Sequence, residues 1–257
     1  MRNVRIAMCQ TLCIYGDREG NFARLENALR SAAELEAQIA CFPEMCILGW
    51  ANSDAHRLAH PIPGTQPGHD AERLCALAKR YRQMISVGLA EKNGQLLHNS
   101  VVLIDADGTL LLTHRKINIL TELMTPPYTP GEAIQVVPTR YGKIGLLICA
   151  DTFVERHLQE MRRRRPDLVL VPYGWAAQTD QWPDHGKELA RTVTKAAKAI
   201  GAPLVGVDLV GEITRGPWRG RTYGGQSVTS DAAGNILAVA HDRDQHIVEV
   251  QLPLPIQ

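Results

Sequence analysis

The sequence carries almost no net charge, because 28 lysines and arginines stand against 27 aspartates and glutamates and give a formal charge of +1. Proteins whose main partner is nucleic acid usually present a strongly basic surface. We therefore expect no nucleic-acid partner. The basic run Arg162-Arg163-Arg164-Arg165 ends a predicted helix just before Pro166, where cations favour the helix C-terminus, and a phosphate-binding patch is the alternative.

Long apolar runs and paired cysteines are also missing. No stretch reaches the roughly 18 uninterrupted apolar residues of a membrane span, so we predict no membrane partner. Residues 1–7 lack the apolar centre of a signal peptide and run into strand-like sequence. The six cysteines show no C-x-x-C spacing, which favours reduced thiols over a disulfide framework or a zinc site. These absences predict a soluble cytoplasmic protein without a metal site.

The apolar segments alternate between strand-like and helix-like patterns. Residues 21–36 place Phe22, Leu25 and Leu29 on one helical face, and Asp70 is the predicted cap of a second helix. The turn at residues 105–108 predicts a hairpin, and residues 211–225 are predicted to form a loop. We see no repeat and no linker, so one domain over residues 1–257 is predicted. Hairpins with covering helices indicate two packed sheets between helical layers.

Three side chains that can do chemistry each follow a predicted strand. Cys149 closes the apolar run at residues 143–148, Glu44 follows the buried strand at 38–42, and Lys116 follows the strand that ends near His114. Groups at strand ends can converge in space although they are far apart in the chain. A thiol, a carboxylate and an ammonium together can carry acyl transfer at an amide or nitrile carbon. Each residue alone also fits a structural role, and only the joint pattern points to catalysis.

These segments resemble the motifs of the nitrilase superfamily of carbon–nitrogen hydrolases. Phe42-Pro43-Glu44 resembles its glutamate motif, His114-Arg115-Lys116 its lysine motif, and the segment from Ile144 to Asp151 its nucleophile motif. The similarity spans nearly the whole chain, because residues 224–234 resemble the closing strand–turn–strand signature. The resemblance implies a four-layer α-β-β-α sandwich, a cysteine mechanism without a cofactor, and a homodimer or higher homo-oligomer.

The family often carries a second glutamate shortly after the lysine. Glu122 is the position that we match to it, as an orienting group for Lys116 and the attacking water, and Glu132 is the competing candidate. One departure concerns the segment after the nucleophile. Many relatives carry Phe-Pro-Glu or Trp-Pro-Glu there, whereas this chain has Phe153-Val154-Glu155 without the proline. The departure bears on the shape of the pocket and so on the substrate class.

The resemblance and the neighbouring residues also suggest a pocket. A backbone N–H near Ala150 would help to hold the oxyanion, and Tyr173 and Trp175 follow the next strand, where they could line the site or pack in the core. Weaker candidates for the pocket or its mouth are Trp50, His56, Tyr128, Trp182 and His185. The triplet Cys149-Ala150-Asp151 lacks the Cys-Trp-Glu pattern of true nitrilases. This favours a small amide or N-carbamoyl substrate, with nitrile hydrolysis as the alternative.

Three other functions stay open at this point. A metal-dependent phosphoesterase can use a similar two-sheet sandwich, and it would need ligands such as Asp208, Asp231, His241 and Asp242. That interpretation leaves the segment around Cys149 unexplained. A non-enzymatic binding subunit would be expected to have lost one of the three key residues. An acyltransferase would keep the same chemistry and pass the thioester to an amine or an alcohol.

Overall fold

A computed structural model describes residues 1–50, 52–62, 68–122 and 127–255. Its elements alternate between strands and helices along the chain. The helices are α1 (Arg18–Glu34), α2 (Ala55–Leu58), α3 (Asp70–Tyr81), α4 (Glu155–Arg164) and α5 (His185–Ile200), and two short 3-10 turns span Cys149–Phe153 and Thr179–Gln181. The strands are β1 (Arg2–Gln10), β2 (Ile39–Cys41), β3 (Met84–Asn93), β4 (Leu96–Ile104), β5 (Leu110–Arg115), β6 (Val136–Thr139), β7 (Gly142–Leu146), β8 (Leu168–Pro172), β9 (Ala176–Ala177), β10 (Leu204–Val207), β11 (Val210–Glu212), β12 (Thr222–Gly224), β13 (Val228–Ser230), β14 (Ile236–Val239) and β15 (His246–Leu254).

Two six-stranded sheets form the centre of the fold. The first has the order β15-β1-β2-β3-β4-β5, and the second has the order β14-β13-β10-β8-β7-β6. Strands β1, β2 and β3 run parallel, as do β7, β8 and β10, and antiparallel strands complete both sheets. A third, small antiparallel sheet has three strands in the order β11-β12-β9.

The alternation of side chains along β1 shows how the layers are arranged. Ile6 and Met8 belong to the apolar cluster that the first sheet shares with the second sheet, whereas Ala7 and Cys9 belong to the cluster with α1 and α3. Successive residues of a strand point to opposite faces, so one strand serves both layers. Helices α4 and α5 pack on the outer face of the second sheet. The predicted four-layer α-β-β-α sandwich is confirmed.

Local sequence explains where the main helices begin and end. The Asp17 side chain accepts a hydrogen bond from the Gly20 N–H (3.1 Å), which caps the first turn of α1. Helix α5 ends at Ile200 and is capped by Gly201, whose φ of 78° lies in the left-handed region that glycine adopts at low cost. Within the described ranges, no helix combines the length and the apolar character needed to cross a membrane.

Three local predictions were wrong in detail. Asp70 is the first residue of α3 rather than its cap, and its buried carboxylate pairs with Arg18 at 3.0 Å instead of the helix N–H groups. Strand β7 ends at Leu146, so Cys149 lies in the following 3-10 turn and not at the end of the strand. The segment 211–225 contains part of the small sheet, because β11 and β12 pair across it.

Candidate active site

Glu44 and Lys116 form a buried ion pair. Their side chains are 0% and 1% exposed, and the Lys116 Nζ donates to Glu44 Oε1 at 2.7 Å. The same oxygen accepts a hydrogen bond from Asn99 Nδ2 at 2.6 Å, whereas Glu44 Oε2 is buried and has no hydrogen-bond partner in the described part of the chain. The pair therefore leaves one carboxylate oxygen available to receive a proton.

The charge of Lys116 is stabilised by its surroundings. Burial on its own would lower the pKa of the ammonium, since it disfavours the charged form. The negative charge of Glu44 and its hydrogen bond to the ammonium outweigh burial and raise the pKa of Lys116 above its usual value, and the Cys149 sulfur adds to this effect when it is ionised. The side chain is a fixed cation at neutral pH, with N–H groups beyond the one given to Glu44.

Cys149 is buried at the start of the 3-10 turn, and its backbone adopts a φ of 39°. This left-handed conformation is rare for residues other than glycine and is often found at functional sites. Burial raises the pKa of the thiol, and the charge of Glu44 raises it further, against the opposing effects of Lys116 and of a backbone hydrogen bond from Gly174. The sulfur is therefore a protonated thiol at neutral pH and needs a base when it attacks.

Gly174 connects the carboxylate with the thiol. Its backbone N–H favours the ionised form of the Cys149 sulfur, and a Cβ atom at this position would lie 3.1 Å from Glu44 Oε2. The unpartnered oxygen and the sulfur thus approach the same residue. A side chain larger than hydrogen would crowd the oxygen that can take the thiol proton.

Asp151 ties the segment before Lys116 to the segment after it. Its Oδ2 is 2.9 Å from His114 Nε2, and its Oδ1 accepts from the backbone N–H groups of Ile117 (3.0 Å) and Asn118 (2.8 Å). Burial would raise the pKa of this carboxyl, but these hydrogen bonds and the nearby charges lower it below its usual range. Asp151 is therefore an anion with fixed partners.

The same carboxylate also holds the nucleophile segment. Asp151 Oδ2 accepts from the backbone N–H of Ile148 at 3.1 Å, and Asn118 Nδ2 donates to the Ala150 carbonyl at 2.8 Å. Because Asp151 lies two residues after Cys149 and contacts residues on both sides of Lys116, it fixes the ammonium relative to the thiol. The ends of β5 and β7 act as one unit.

A cavity of about 350 Å³ opens above these groups. It is small compared with many ligand pockets, and its size suits a compact substrate. Aromatic side chains dominate its walls, and Trp175 contacts Phe153 edge to face at a centroid distance of 5.7 Å. Residues that line the cavity include Trp50, Lys116, Cys149, Phe153, Trp175 and Trp218.

The other predicted site residues lie in different places. Ala150 is fully buried beside the nucleophile. Tyr173 is fully buried in the core behind Cys149, where its hydroxyl lies 3.1 Å from Thr152 Oγ1, and it is not part of the cavity wall. Glu122 is an exposed turn residue outside the cavity lining, and residues 123–126 after it lie outside the described residues.

Of the weaker pocket candidates, some line the cavity and others do not. Trp50 and His185 line the cavity, and the His185 ring stacks on Trp175 at a centroid distance of 5.4 Å. Trp182 packs against His185 from outside the lining. Tyr128 is buried and His56 is exposed, and neither lines the cavity.

The residues proposed for a phosphoesterase have other partners. Asp231 accepts hydrogen bonds within its own turn, Asp242 pairs with Arg243, and His241 stacks on His246. In the residues that the structure describes, no three histidine, cysteine or acidic side chains cluster as metal ligands would. The competing second glutamate, Glu132, is exposed near Arg115, away from the cavity that holds Cys149.

Asp208 positions the aromatic wall. Its Oδ1 accepts from the Trp175 N–H at 2.6 Å, and its own N–H donates to Ser227 Oγ at 2.9 Å. Ser227 Oγ in turn donates to Gln10 Oε1 at 2.9 Å, so the network reaches β1. Burial raises the pKa of Asp208 well above its usual value, with a further contribution from Glu44, despite the backbone N–H groups that favour its charged form.

Replacing Asp208 with asparagine should change how stability depends on pH. The folded pKa of Asp208 lies above the unfolded value, so the wild type loses stability as pH rises from about 4 through the folded pKa. Asp208→Asn keeps an acceptor for Trp175 and does not titrate. We expect urea unfolding at about pH 5 and about pH 8 to show a steeper decline for the wild type than for the variant.

Asp231→Asn is the matched control, because hydrogen bonds from Asn235 lower the pKa of Asp231. A carboxyl with a lowered folded pKa loses its contribution to stability only as pH falls below its unfolded pKa of about 4, so between about pH 5 and about pH 8 this variant should decline in parallel with the wild type. If the stability of the wild type and of Asp208→Asn changed with pH in parallel, folding would not raise the pKa of Asp208, and the prediction would be wrong.

Sequence reasoning missed several groups around the site. Asn99 lies in the middle of β4, and nothing in the local pattern marks it as the donor to Glu44. Trp218 and Arg221 belong to the segment 211–225 that was predicted as a loop and not as part of the site, yet both line the cavity. The density of arginine and tryptophan between residues 215 and 221 was a signal that could have singled this segment out.

Comparisons with known proteins agree with this geometry. The model of the carbon-nitrogen hydrolase family matches residues 5–255. The N-carbamoylputrescine amidase of Solanum lycopersicum is 28% identical over 98% of this chain and 87% of its own length. A carbon-nitrogen hydrolase structure from Helicobacter pylori G27 superposes with a TM-score of 0.82 at 20% identity, covering 97% of this chain and 89% of that one.

Plant nitrilases match over a shorter region. The bifunctional nitrilase/nitrile hydratase NIT4A of Nicotiana tabacum is 30% identical over 57% of this chain and 46% of its own length. The match covers 55% of the length of a second such protein, from Lupinus angustifolius. The chain therefore spans about half the length of the first curated relatives that it matches.

Proposed function

Because the chain belongs to the carbon-nitrogen hydrolase family, we propose that it hydrolyses a carbon–nitrogen bond other than a peptide bond through a thioester on Cys149. The observation that carries the proposal is the meeting of three groups at one cavity. Lys116 and Cys149 both line it, and Glu44 is hydrogen-bonded to Lys116. The second carboxylate oxygen of Glu44, next to Gly174, has no hydrogen-bond partner among the residues that the structure describes.

The first half of the reaction forms the thioester. Glu44 takes the thiol proton on Oε2 while the sulfur of Cys149 attacks the amide carbon. Lys116 and a backbone N–H near Ala150 stabilise the oxyanion of the tetrahedral intermediate. The carbon–nitrogen bond then breaks, and the protonated Glu44 gives its proton to the leaving nitrogen, which departs as ammonia or an amine.

The second half releases the acid. Water enters the position that the amine has left, and Glu44 takes a proton from it as the oxygen attacks the thioester carbon. Lys116 again holds the oxyanion, and the carbon–sulfur bond breaks with return of the proton to the Cys149 thiolate. The balance is one amide and one water consumed for one carboxylic acid and one amine formed. A role of Glu122 in orienting this water stays a prediction.

A small amide or N-carbamoyl compound is the substrate class that we propose. The small cavity favours a compact substrate, and the amidase of Solanum lycopersicum aligns over nearly the full chain, whereas the nitrilase of Nicotiana tabacum aligns over little more than half of it. Nitrile hydrolysis by the same three residues is the second candidate, favoured by the higher identity of that shorter match.

A panel of primary amides, N-carbamoyl compounds and nitriles tests the proposal. We expect ammonia and the carboxylic acid in a one-to-one ratio from amides, and ammonia, carbon dioxide and the amine in equal amounts from carbamoyl compounds, since the carbamic acid that forms decarboxylates. We also expect an acyl or carbamoyl adduct on Cys149 in intact-protein mass spectra of quenched turnover. Ammonia from nitriles alone would move the assignment to the second candidate. Release that is equally fast with Cys149→Ala would refute the cysteine mechanism.

The predicted homodimer and cytoplasmic location belong to the same proposal. Strand β14 at the edge of the second sheet exposes Ile236, Leu237 and Val239, which supports an association between copies of the chain. All six cysteines are free, and this fits a reducing compartment.

A further inference from the structure

We propose that Arg221 binds a carboxylate of the substrate, so that the enzyme acts on small amides or N-carbamoyl compounds with a carboxylate at the far end of a short apolar chain. This inference rests on the proposed function and extends it, because it names the group that the cavity recognises. Arg221 lines the same cavity as Cys149 and Lys116, on the segment between β11 and β12.

The charges in the cavity favour an anionic substrate. Lys116 and Arg221 are the ionised side chains of the described lining, which contains no aspartate or glutamate. The charge of Lys116 is already matched by Glu44. Arg221 forms no ion pair with an acidic residue in the described ranges of the chain, so its charge is left for a ligand.

The guanidinium of Arg221 is held in place. It lies over the Trp218 ring at 4.2 Å from the ring centroid, and Trp218 meets Trp50 edge to face at 5.4 Å. The backbone that carries this side chain is fixed as well, because the backbone N–H of Arg221 donates to the Trp218 carbonyl at 3.1 Å and the backbone N–H of Ile213 donates to the Arg221 carbonyl at 2.8 Å. A planar guanidinium that is stacked on a ring keeps its N–H edge free for the two oxygens of a carboxylate.

Gln181 is a second donor that lines the same cavity. The Gln181 Oε1 accepts from the Gln178 N–H at 3.1 Å, and this contact fixes the orientation of the side-chain amide. The Nε2 group of Gln181 is therefore the end that can donate to a ligand. Gln181 and Arg221 thus give the cavity two donors suited to an anion, and the lining residues that the structure describes include no carboxylate suited to a cation.

The apolar residues of the cavity lining suit a substrate whose middle part is apolar. Trp50, Phe153 and Trp175 line the same cavity as Cys149 and Arg221 and supply aromatic surface for the middle of the substrate. A volume of about 350 Å³ leaves room for a short chain between the reacting amide and the carboxylate. A substrate with a terminal ammonium would place that charge in the same cavity as Arg221, and a neutral substrate would leave the guanidinium unpaired.

Three amides of matched length test the inference: glutaramate ends in a carboxylate, pentanamide in a methyl group and δ-aminovaleramide in an ammonium. The corresponding carbamoyl series is N-carbamoyl-γ-aminobutyrate, N-butylurea and N-carbamoylputrescine. We expect the wild type to prefer the carboxylate member of its better series by about tenfold or more in kcat/KM over the methyl member. A preference for the ammonium member would overturn the inference.

Arg221→Gln should lower kcat/KM for the carboxylate member about 10- to 100-fold, mainly through KM, because a charged hydrogen-bonded contact is lost. The loss for the methyl member should be at least about tenfold smaller. Arg221→Lys should fall between the two, since it keeps the charge without the planar fork. Arg219→Gln is the matched control, because Arg219 is exposed on the same segment and outside the lining, and it should keep the wild-type preference.

Two outcomes separate this inference from the proposed function. Equal losses on the carboxylate and methyl members in Arg221→Gln would show that Arg221 only supports Trp218, and they would overturn the inference while hydrolysis stands. If no compound is hydrolysed, calorimetric titration of Cys149→Ala decides. Tighter binding of glutaramate than of pentanamide, lost in the double variant with Arg221→Gln, would support the carboxylate site although the proposed reaction had failed.

Discussion

Replacing Cys149 with alanine is expected to lower kcat by at least about 10⁴-fold, because the variant has no atom that can form the thioester. The change should leave the fold intact, since the small side chain fits the same position and the ion pair of Glu44 with Lys116 does not depend on the sulfur. Ammonia release at saturating substrate and a thermal melt of the same preparation measure the two effects.

Cys75→Ala is the matched control for this prediction. Cys75 is the half-buried cysteine of α3 and lies outside the cavity, so its removal should leave turnover at the wild-type level. Iodoacetamide should inactivate the wild type and the Cys75 variant with one label on Cys149. A Cys149→Ala protein that is folded and turns over substrate at more than about a tenth of the wild-type rate would contradict the assignment.

Replacing Glu44 with glutamine is expected to lower kcat by about 10³-fold, because the amide keeps the shape of the side chain but cannot accept the thiol proton. It should also destabilise the protein by about 3 kcal/mol, since the Lys116 ammonium would stay buried without its carboxylate. Single-turnover acylation and urea unfolding separate the chemical effect from the structural one.

Glu91→Gln provides the control for the structural part. Glu91 is also a buried glutamate, paired with Arg115 at 2.5 Å, but it lies away from the cavity that contains Cys149. We expect this variant to lose stability while it keeps a kcat close to that of the wild type. If Glu44→Gln lost stability to the same degree and kept its turnover, Glu44 would be a structural partner of Lys116 and not a base.

The strand-end pattern of the sequence predicted which residues meet at the cavity. Each motif couples a buried apolar segment to one polar side chain, and the buried segment leaves that side chain few positions in space. The same reasoning could not predict which side chains after a strand face the cavity and which are buried in the core. Trp175 faces the cavity, whereas Tyr173, two residues earlier, is buried in the core and hydrogen-bonded to Thr152.

Long-range contacts account for what the sequence did not show. The donor Asn99 reaches Glu44 across 55 positions of the chain, and Asp208 reaches Trp175 across 33. Neither residue stands in a local pattern that differs from ordinary strand or loop sequence. The segment with Trp218 and Arg221 was predicted as a loop because β11 and β12 are only three residues each, and their pairing stabilises them more than their local sequence does.

The bridge made by Asp151 has a consequence for variation in this family of folds. The Asp151 carboxylate accepts hydrogen bonds from the backbone next to Lys116 and from the backbone next to Cys149. These contacts, and not the chain between the two residues, fix the distance between the thiol and the amine. Leu120 lines the cavity just beyond this bridge, so a change of side chain there should alter the cavity wall for other substrates while the reacting atoms keep their spacing.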